Sequence, residues 1–203
     1  MPRPATLPSN AQLTALLDDL DMSLWFVDGN HEDFDRLLEL PIDPSTGRRP
    51  VTSRIDHLPR GHRWQFGDTT WLACGGAVSV DVAYRIPHVS WWPQETITDA
   101  DVAQCIDAGP ADVLLAHDAP WRSSTLRLRY ARPSSWPKEA LARSDASQRQ
   151  IDAIVQGTMV STVFHGHHHH RYTEHTDGVT IHGLGCDGLR DNVVLVGPDG
   201  ALF

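Results

Sequence analysis

Three short stretches carry side chains that can hold a metal ion or move a proton: Gly29-Asn30-His31-Glu32, His117 at the end of "DVLLAH", and Gly166-His167-His168-His169. Neutral imidazole suits zinc, iron, nickel and manganese, and an Asn carbonyl oxygen is a harder donor compatible with the same ions. Twelve histidines are many for 203 residues, which points the same way. Taken singly, each stretch also fits a polar turn after a buried strand, and a lone histidine there is commonly just hydrogen-bonded. Their conjunction favours a site. In extended backbone, residues two apart share a face, so His167 and His169 are expected to serve one cluster while His168 points elsewhere.

The elements that must position these groups alternate along the chain. Leu13, Leu16, Leu17 and Leu20 repeat at helical spacing and predict an amphipathic helix over about 10–21, after a Pro-rich arm at 1–10. A buried strand over 23–28 ends at the Gly29 turn, and a short helix with Phe34, Leu37 and Leu38 on one side follows. Residues 41–50 read as a loop. Trp64, Phe66, Trp71 and Leu72 flank a Gly67-Asp68 turn signal between two strands. "TDAD" starts a helix running through Val102. A strand over 112–117 comes next, then a stretch without periodicity over 119–143, expected as a long loop or lid. A helix over 144–156, a strand over 158–164 and alternating tail strands with a "GPDG" turn at 197–200 complete the reading. Interleaved strands and helices mean an α/β fold in one domain spanning 1–203, and such folds gather strand carboxyl ends, where ligands bind, along one edge.

Bulk properties narrow the class. Hydrophobic content of 40% with 21% charged residues belongs to a globular chain, and no apolar run is long enough to span a bilayer. A net charge of −9 argues against a general nucleic-acid grip. Cys74, Cys105 and Cys186 lack any CxxC pairing, and the first residues carry no signal core, so a reduced, cytoplasmic protein is expected.

"GNHE" at 29–32, "AHD" around His117 and "GHHH" at 166–169, in this order at strand ends, resemble motifs of the calcineurin-like metallophosphoesterases. "GGAVSVD" (75–81) and "SWWPQE" (90–95) resemble a bacterial subgroup of them. The resemblance runs from about residue 10 to near 197. It implies an αββα sandwich and phosphomonoester or phosphodiester hydrolysis. It also implies that Asn30, His117 and His167 bind one metal of a binuclear centre and His169 the other. His31 would meet the substrate phosphate or protonate the leaving oxygen. Two earlier family motifs, D-x-H and G-D-x-x-D, which supply carboxylate ligands, have no counterpart here, as though the first β-α-β portion were deleted. One divalent transition ion (Mn, Fe, Ni or Zn) is therefore expected rather than two, unless Asp118, Glu32 or Asp187 substitutes. The alternative is a weakened homologue acting through partner binding. A homodimer or a heteromeric partner would cover the strand edge left open.

Residues 121–149 hold Arg122, Arg127, Arg129, Arg132, Lys138, Arg143 and Arg149 against Glu139 and Asp145. This excess reads either as a solvated loop or as a lid whose arginines, Arg122 and Arg127 foremost, bind oxygens of a phosphoester small molecule or nucleotide. Trp121, Tyr130 and Trp136 are either stacking partners for a base or loop anchors.

Overall fold

The computed structural model describes residues 9–131, 135–188, 192–197 and 201–202. Helix α1, Asn10–Asp19, starts where Ser9 and Gln12 satisfy each other's backbone N–H groups in a capping box. It leads to β1, Leu24–Phe26, and past the Gly29 turn to α2, Phe34–Glu39. Strands β2, Arg49–Pro50, and β3, Ile55–His57, complete a three-stranded sheet of order β1-β3-β2, with β1 parallel to β3. β1 is an edge of this sheet, and among the described residues no strand pairs with its outer side.

The larger sheet has the order β4-β5-β6-β7-β9-β8. Its strands are β4 (Arg63–Phe66), β5 (Thr69–Cys74), β6 (Val113–Ala116), β7 (Thr162–His165), β8 (Tyr172–Thr176) and β9 (Val179–Gly183). The four inner strands are parallel and the two outer ones antiparallel. Register follows burial: Leu72, Leu114, Val163 and Ile181 lie side by side on one face. They pack with Cys105 of α3, Asp99–Asp107, and with Ile151, Ile154 and Val155 of α5, Lys138–Thr158. Trp71, Val113 and Phe164 bury the opposite face with Trp64. Trp64 meets Trp25 of β1 edge-on at 6.2 Å, which brings the small sheet to this side. The result is the expected mixed α/β sandwich.

Several sequence expectations shift. Residues 119–143 are not one loop: they contain α4, Ser124–Tyr130, capped by the Ser123 hydroxyl, and the first turns of α5. A seven-residue helix with only Leu126 buried is too short to show a period. α5 begins after Pro137 rather than at 144, and Met159 in the left-handed region (φ 55°) stops it. The strand expected from 158 therefore starts at Thr162. Of the α1 leucines only Leu17 is buried; Leu16 and Leu20 are exposed. Arg132, most of the Pro-rich arm and 198–200 of the expected hairpin lie outside the described residues, although Val196 and Leu202 pair antiparallel around it. No helix among the described residues is long and apolar enough to cross a membrane.

Candidate metal centre

The carboxyl ends of β1, β5, β6 and β7 are laced together by backbone hydrogen bonds. The N–H of Gly76 donates to Asp28 O at 2.8 Å, that of His117 to Cys74 O at 3.3 Å, and that of Gly166 to His117 O at 3.1 Å. The first of these bonds joins the two sheets. It needs a close approach that only glycine permits, since a Cβ on Gly75 would collide with the Asp28 carboxylate. Three tips that are distant in sequence are thereby held at one edge. Asn30, His117 and His167 meet there: His117 Nε2 lies 3.1 Å and His167 Nδ1 3.3 Å from Asn30 Oδ1, and the two rings are 5.2 Å apart.

The orientation of Asn30 is set from behind. Glu95, fully buried, accepts from the Ser79 N–H and from its hydroxyl, both at 2.7 Å. The Ser79 hydroxyl has its proton committed to Glu95, so it accepts from Asn30 Nδ2 at 3.0 Å. That leaves the Asn30 carbonyl oxygen turned toward the imidazoles. Burial pushes the His117 and His167 imidazoles down to about 4, with the neighbouring histidines adding to the effect. Both rings are therefore neutral near neutral pH, the form that ligates metals. A four-coordinate ion with bonds of about 2.1 Å keeps its ligand atoms roughly 3.4 Å apart, close to the distances of His117 Nε2 and His167 Nδ1 from Asn30 Oδ1. Imidazole nitrogens and an amide oxygen are donors that transition ions take. An imidazole N–H facing Asn30 Oδ1 donates to it, and each neutral ring can carry its proton on the other nitrogen instead.

The model of the family described as calcineurin-like phosphoesterase matches residues 7–171, most of the chain. The chain belongs to the calcineurin-like phosphoesterase family. No curated protein matches it. Family membership implies a metal-dependent, phosphoester-hydrolase-like function, and the matched segment ends just after the histidine run, short of β8 and β9.

Around this phosphoesterase-type cluster the remaining candidates sort differently from expectation. His169 does not join Asn30; it is exposed and makes no hydrogen bond among the described residues. His168 comes in instead, with its ring 4.9 Å from that of His167. The alternation argument fails because His167 (φ 59°) and His169 (φ 51°) both adopt left-handed backbone, so 166–169 is a turn, not extended chain. His168 Nε2 donates to Asp118 Oδ1 at 3.0 Å. Asp118, His167 and His168 bring ligand atoms within 4.8 Å of one another. Asp118, however, also accepts from Ser147 Oγ at 2.6 Å and from the Ala119 N–H at 2.8 Å. Burial opposes its charge, but the His168 and Ser147 hydrogen bonds and the nearby imidazoles win, holding its carboxyl down at about 2. These bonds orient Asp118 and His168, which with His167 form a group that could hold a metal ion.

Asp28 and Glu32 also have partners. Asp28 takes both Arg60 Nη2, at 2.7 Å, and His57 Nε2, at 3.1 Å; these partners outweigh its burial and keep its carboxyl below the usual range. Glu32 accepts from the Gly29 N–H at 3.3 Å, and Asp187 is exposed. His31 is exposed at the rim, with Arg85 Nη1 2.9 Å from its Nδ1 and Arg85 held by Asp81 at 2.8 Å. Arg122 does not face the site; its Nε is paired with Asp152 at 2.6 Å on α5. Arg127 is exposed on α4, while Arg129, one residue pair further along, lines the cavity beside His167 and His168. Trp121 is an anchor, with the Arg149 guanidinium 3.9 Å over its ring.

Sequence reasoning missed Ser79, Glu95, Arg85 and His165. The last is buried at the end of β7 between Gly166 O at 2.9 Å and the Tyr172 hydroxyl at 2.7 Å. The signal for Ser79 and Glu95 was present in "GGAVSVD" and "SWWPQE", whose polar residues have no reason to interrupt apolar sequence unless they bond to something.

Proposed function

We propose that the chain hydrolyses a phosphomonoester or phosphodiester with one divalent transition ion (Mn, Fe, Ni or Zn) held by Asn30, His117 and His167. The observation that carries this reading is the convergence of these three donors from three strand ends onto one point. A cation bound there would polarise a phosphoryl oxygen and lower the pKa of its water. The chain's own groups supply the rest. The Ser79–Glu95 pair keeps Asn30 Oδ1 aimed inward. His31, at the rim, meets the phosphoryl group or gives a proton to the departing oxygen. Arg85, bonded to that ring, brings a positive charge beside it. One ion is favoured over two because the three donors are neutral and do not offset repulsion between two cations. Three free cysteines, two of them buried, support a reducing, cytoplasmic setting.

A second reading rests on the open edge of β1, flanked by exposed Leu16, Leu20 and Trp25: the chain acts by associating with a copy of itself or a partner. The two readings separate by experiment. Metal analysis and hydrolysis of p-nitrophenyl phosphate and its bis-ester should show one equivalent of metal and metal-dependent turnover. His117→Ala should lose the metal, and His31→Ala should lose turnover while keeping it. A chain that binds no metal at neutral pH sinks the hydrolase reading, and a monomer in light scattering sinks the association reading.

A further inference from the structure

A cavity of ≈ 510 Å³ lies between α2, the end of β3 and the segment leading into α3, and neither Asn30, His117 nor His167 lines it. That volume suffices to enclose a small organic ligand. Its wall carries a buried positive charge, Arg49, which is 9% exposed. Arg49 Nε donates to Leu40 O at 2.8 Å and Nη1 to His57 Nδ1 at 3.0 Å, and neither acceptor is a carboxylate. A guanidinium has only donors, so His57 accepts at Nδ1 and donates its Nε2–H to Asp28 Oδ1 at 3.1 Å. Asp28 therefore reaches Arg49 through an imidazole rather than by an ion pair. Burial lowers the Arg49 guanidinium from its ordinary value, and the charge of Asp28 offsets only part of that effect. Arg49 Nη2 makes no hydrogen bond among the described residues. Arg60, on the same cavity, is the contrast: Asp28 at 2.7 Å and Asp101 at 3.0 Å neutralise it.

Two further observations point to a ligand. Gln94 lines the cavity, and its amide nitrogen faces Asp35 at 3.4 Å. Its Oε1 is buried with no hydrogen-bond partner among the described residues, so it calls for a donor. Leu38 and Ile42 also line the cavity and are each 46% exposed, which leaves apolar surface beside the charge. The balance of charge selects the kind of anion. Arg49 and Arg60 stand against Asp28 and Asp101 in the lining, so a single added negative charge is met by Arg49, whereas a dianion is repelled by the two carboxylates.

We infer that this cavity binds a small monocarboxylic acid with an apolar body and a hydrogen-bond donor. The carboxylate pairs with Arg49, the donor with Gln94 Oε1, and the body packs against Leu38 and Ile42. The site is independent of the phosphoesterase reading, since none of the three candidate metal donors lines it.

Calorimetry on the full chain, freed of metal and then of chelator by dialysis, tests this with 4-hydroxyphenylacetate, its uncharged amide, acetate and inorganic phosphate. The first should bind with a dissociation constant of about 0.1 mM or below. The amide lacks the charge and acetate the apolar body, and each should bind about tenfold or more weakly. Arg49→Met should weaken 4-hydroxyphenylacetate by about 10–100-fold. Loss of a buried arginine can disturb the fold, so Leu38→Asp, at an exposed position, supplies a second variant. It adds a negative charge to the cavity wall and should weaken the same probe by about tenfold with little change in the urea midpoint. His117→Ala should leave the affinity unchanged. No binding of 4-hydroxyphenylacetate, equal binding of its amide, tighter binding of phosphate, or an affinity that depends on His117 and not on Arg49 or Leu38 overturns the assignment.

Discussion

The buried histidines should make the metal-free chain acid-labile well above the carboxylate range. His117, His165 and His167 sit at about 4 against an ordinary value of 6.5, in each case chiefly because burial opposes the charged ring. A folded value below the unfolded one means that the unfolded chain takes up protons first, so stability is present above about 6.5 and is lost as pH falls toward about 4. For a fully buried ring the loss at about pH 5 is roughly 2 kcal/mol. His165, 1% exposed, should show it in full. His117 and His167 are half-buried and adjacent, so their contributions are smaller and coupled. A total of about 4 kcal/mol is then expected, a large part of the roughly 5–15 kcal/mol available to a domain. Asp118 and Asp28 do not obscure the window: their folded values are depressed, so they stabilise until the pH falls below their ordinary value of 3.8. Urea titrations in chelator, at steps between about pH 7.5 and 5, measure the loss as a falling midpoint at constant slope. His165→Gln keeps a donor and an acceptor but cannot titrate, and should reduce the loss by about 2 kcal/mol. A midpoint that stays flat down to about pH 5 refutes the reasoning.

Two substitutions probe the supports of the site. Ser79→Ala removes the hydroxyl that fixes the Asn30 amide, and metal affinity measured by competition with a chromophoric chelator should drop by about 10–100-fold in a chain that still folds. Arg60→Met strips the buried Asp28 of its main counter-charge and should cost about 3–5 kcal/mol in urea denaturation, whereas pairing it with Asp28→Leu should recover part of that loss.

How far the sequence discloses this molecule depends on whether a feature is local. The capped starts of α1 and α3, the Gly67-Asp68 hairpin and the strand feeding Gly29 depend on near neighbours and are legible. The meeting of His117 and His167 is legible too, because a parallel sheet brings strand ends together whatever the intervening chain does, whereas Asn30 reaches them from the other sheet. Which histidines of the run 167–170 turn toward Asn30 is not legible, because a left-handed residue rotates the rest of a turn and nothing in four histidines marks which backbone takes that conformation. Arg122 illustrates a different blindness: its partner Asp152 lies 30 residues away on a helix whose start was itself placed late. The Glu95–Ser79–Asn30 chain is likewise long-range, and only the oddity of polar residues within apolar stretches hinted at it.

The charge distribution around the cluster explains why its metal count is the decisive property. Three carboxylates near the motifs are held in place by the fold: Asp28 by Arg60, Asp118 by the hydrogen bonds of Ser147 and His168, and Glu95 by those of Ser79. These groups hold the motif loops rigid, so releasing one to serve as a ligand would uncouple the loops it organises. Asn30 and the neutral His117 and His167 rings bring no negative charge to the point where they meet. The charge balance of any bound ion would therefore depend on what else reaches it, and the metal count is what reports it.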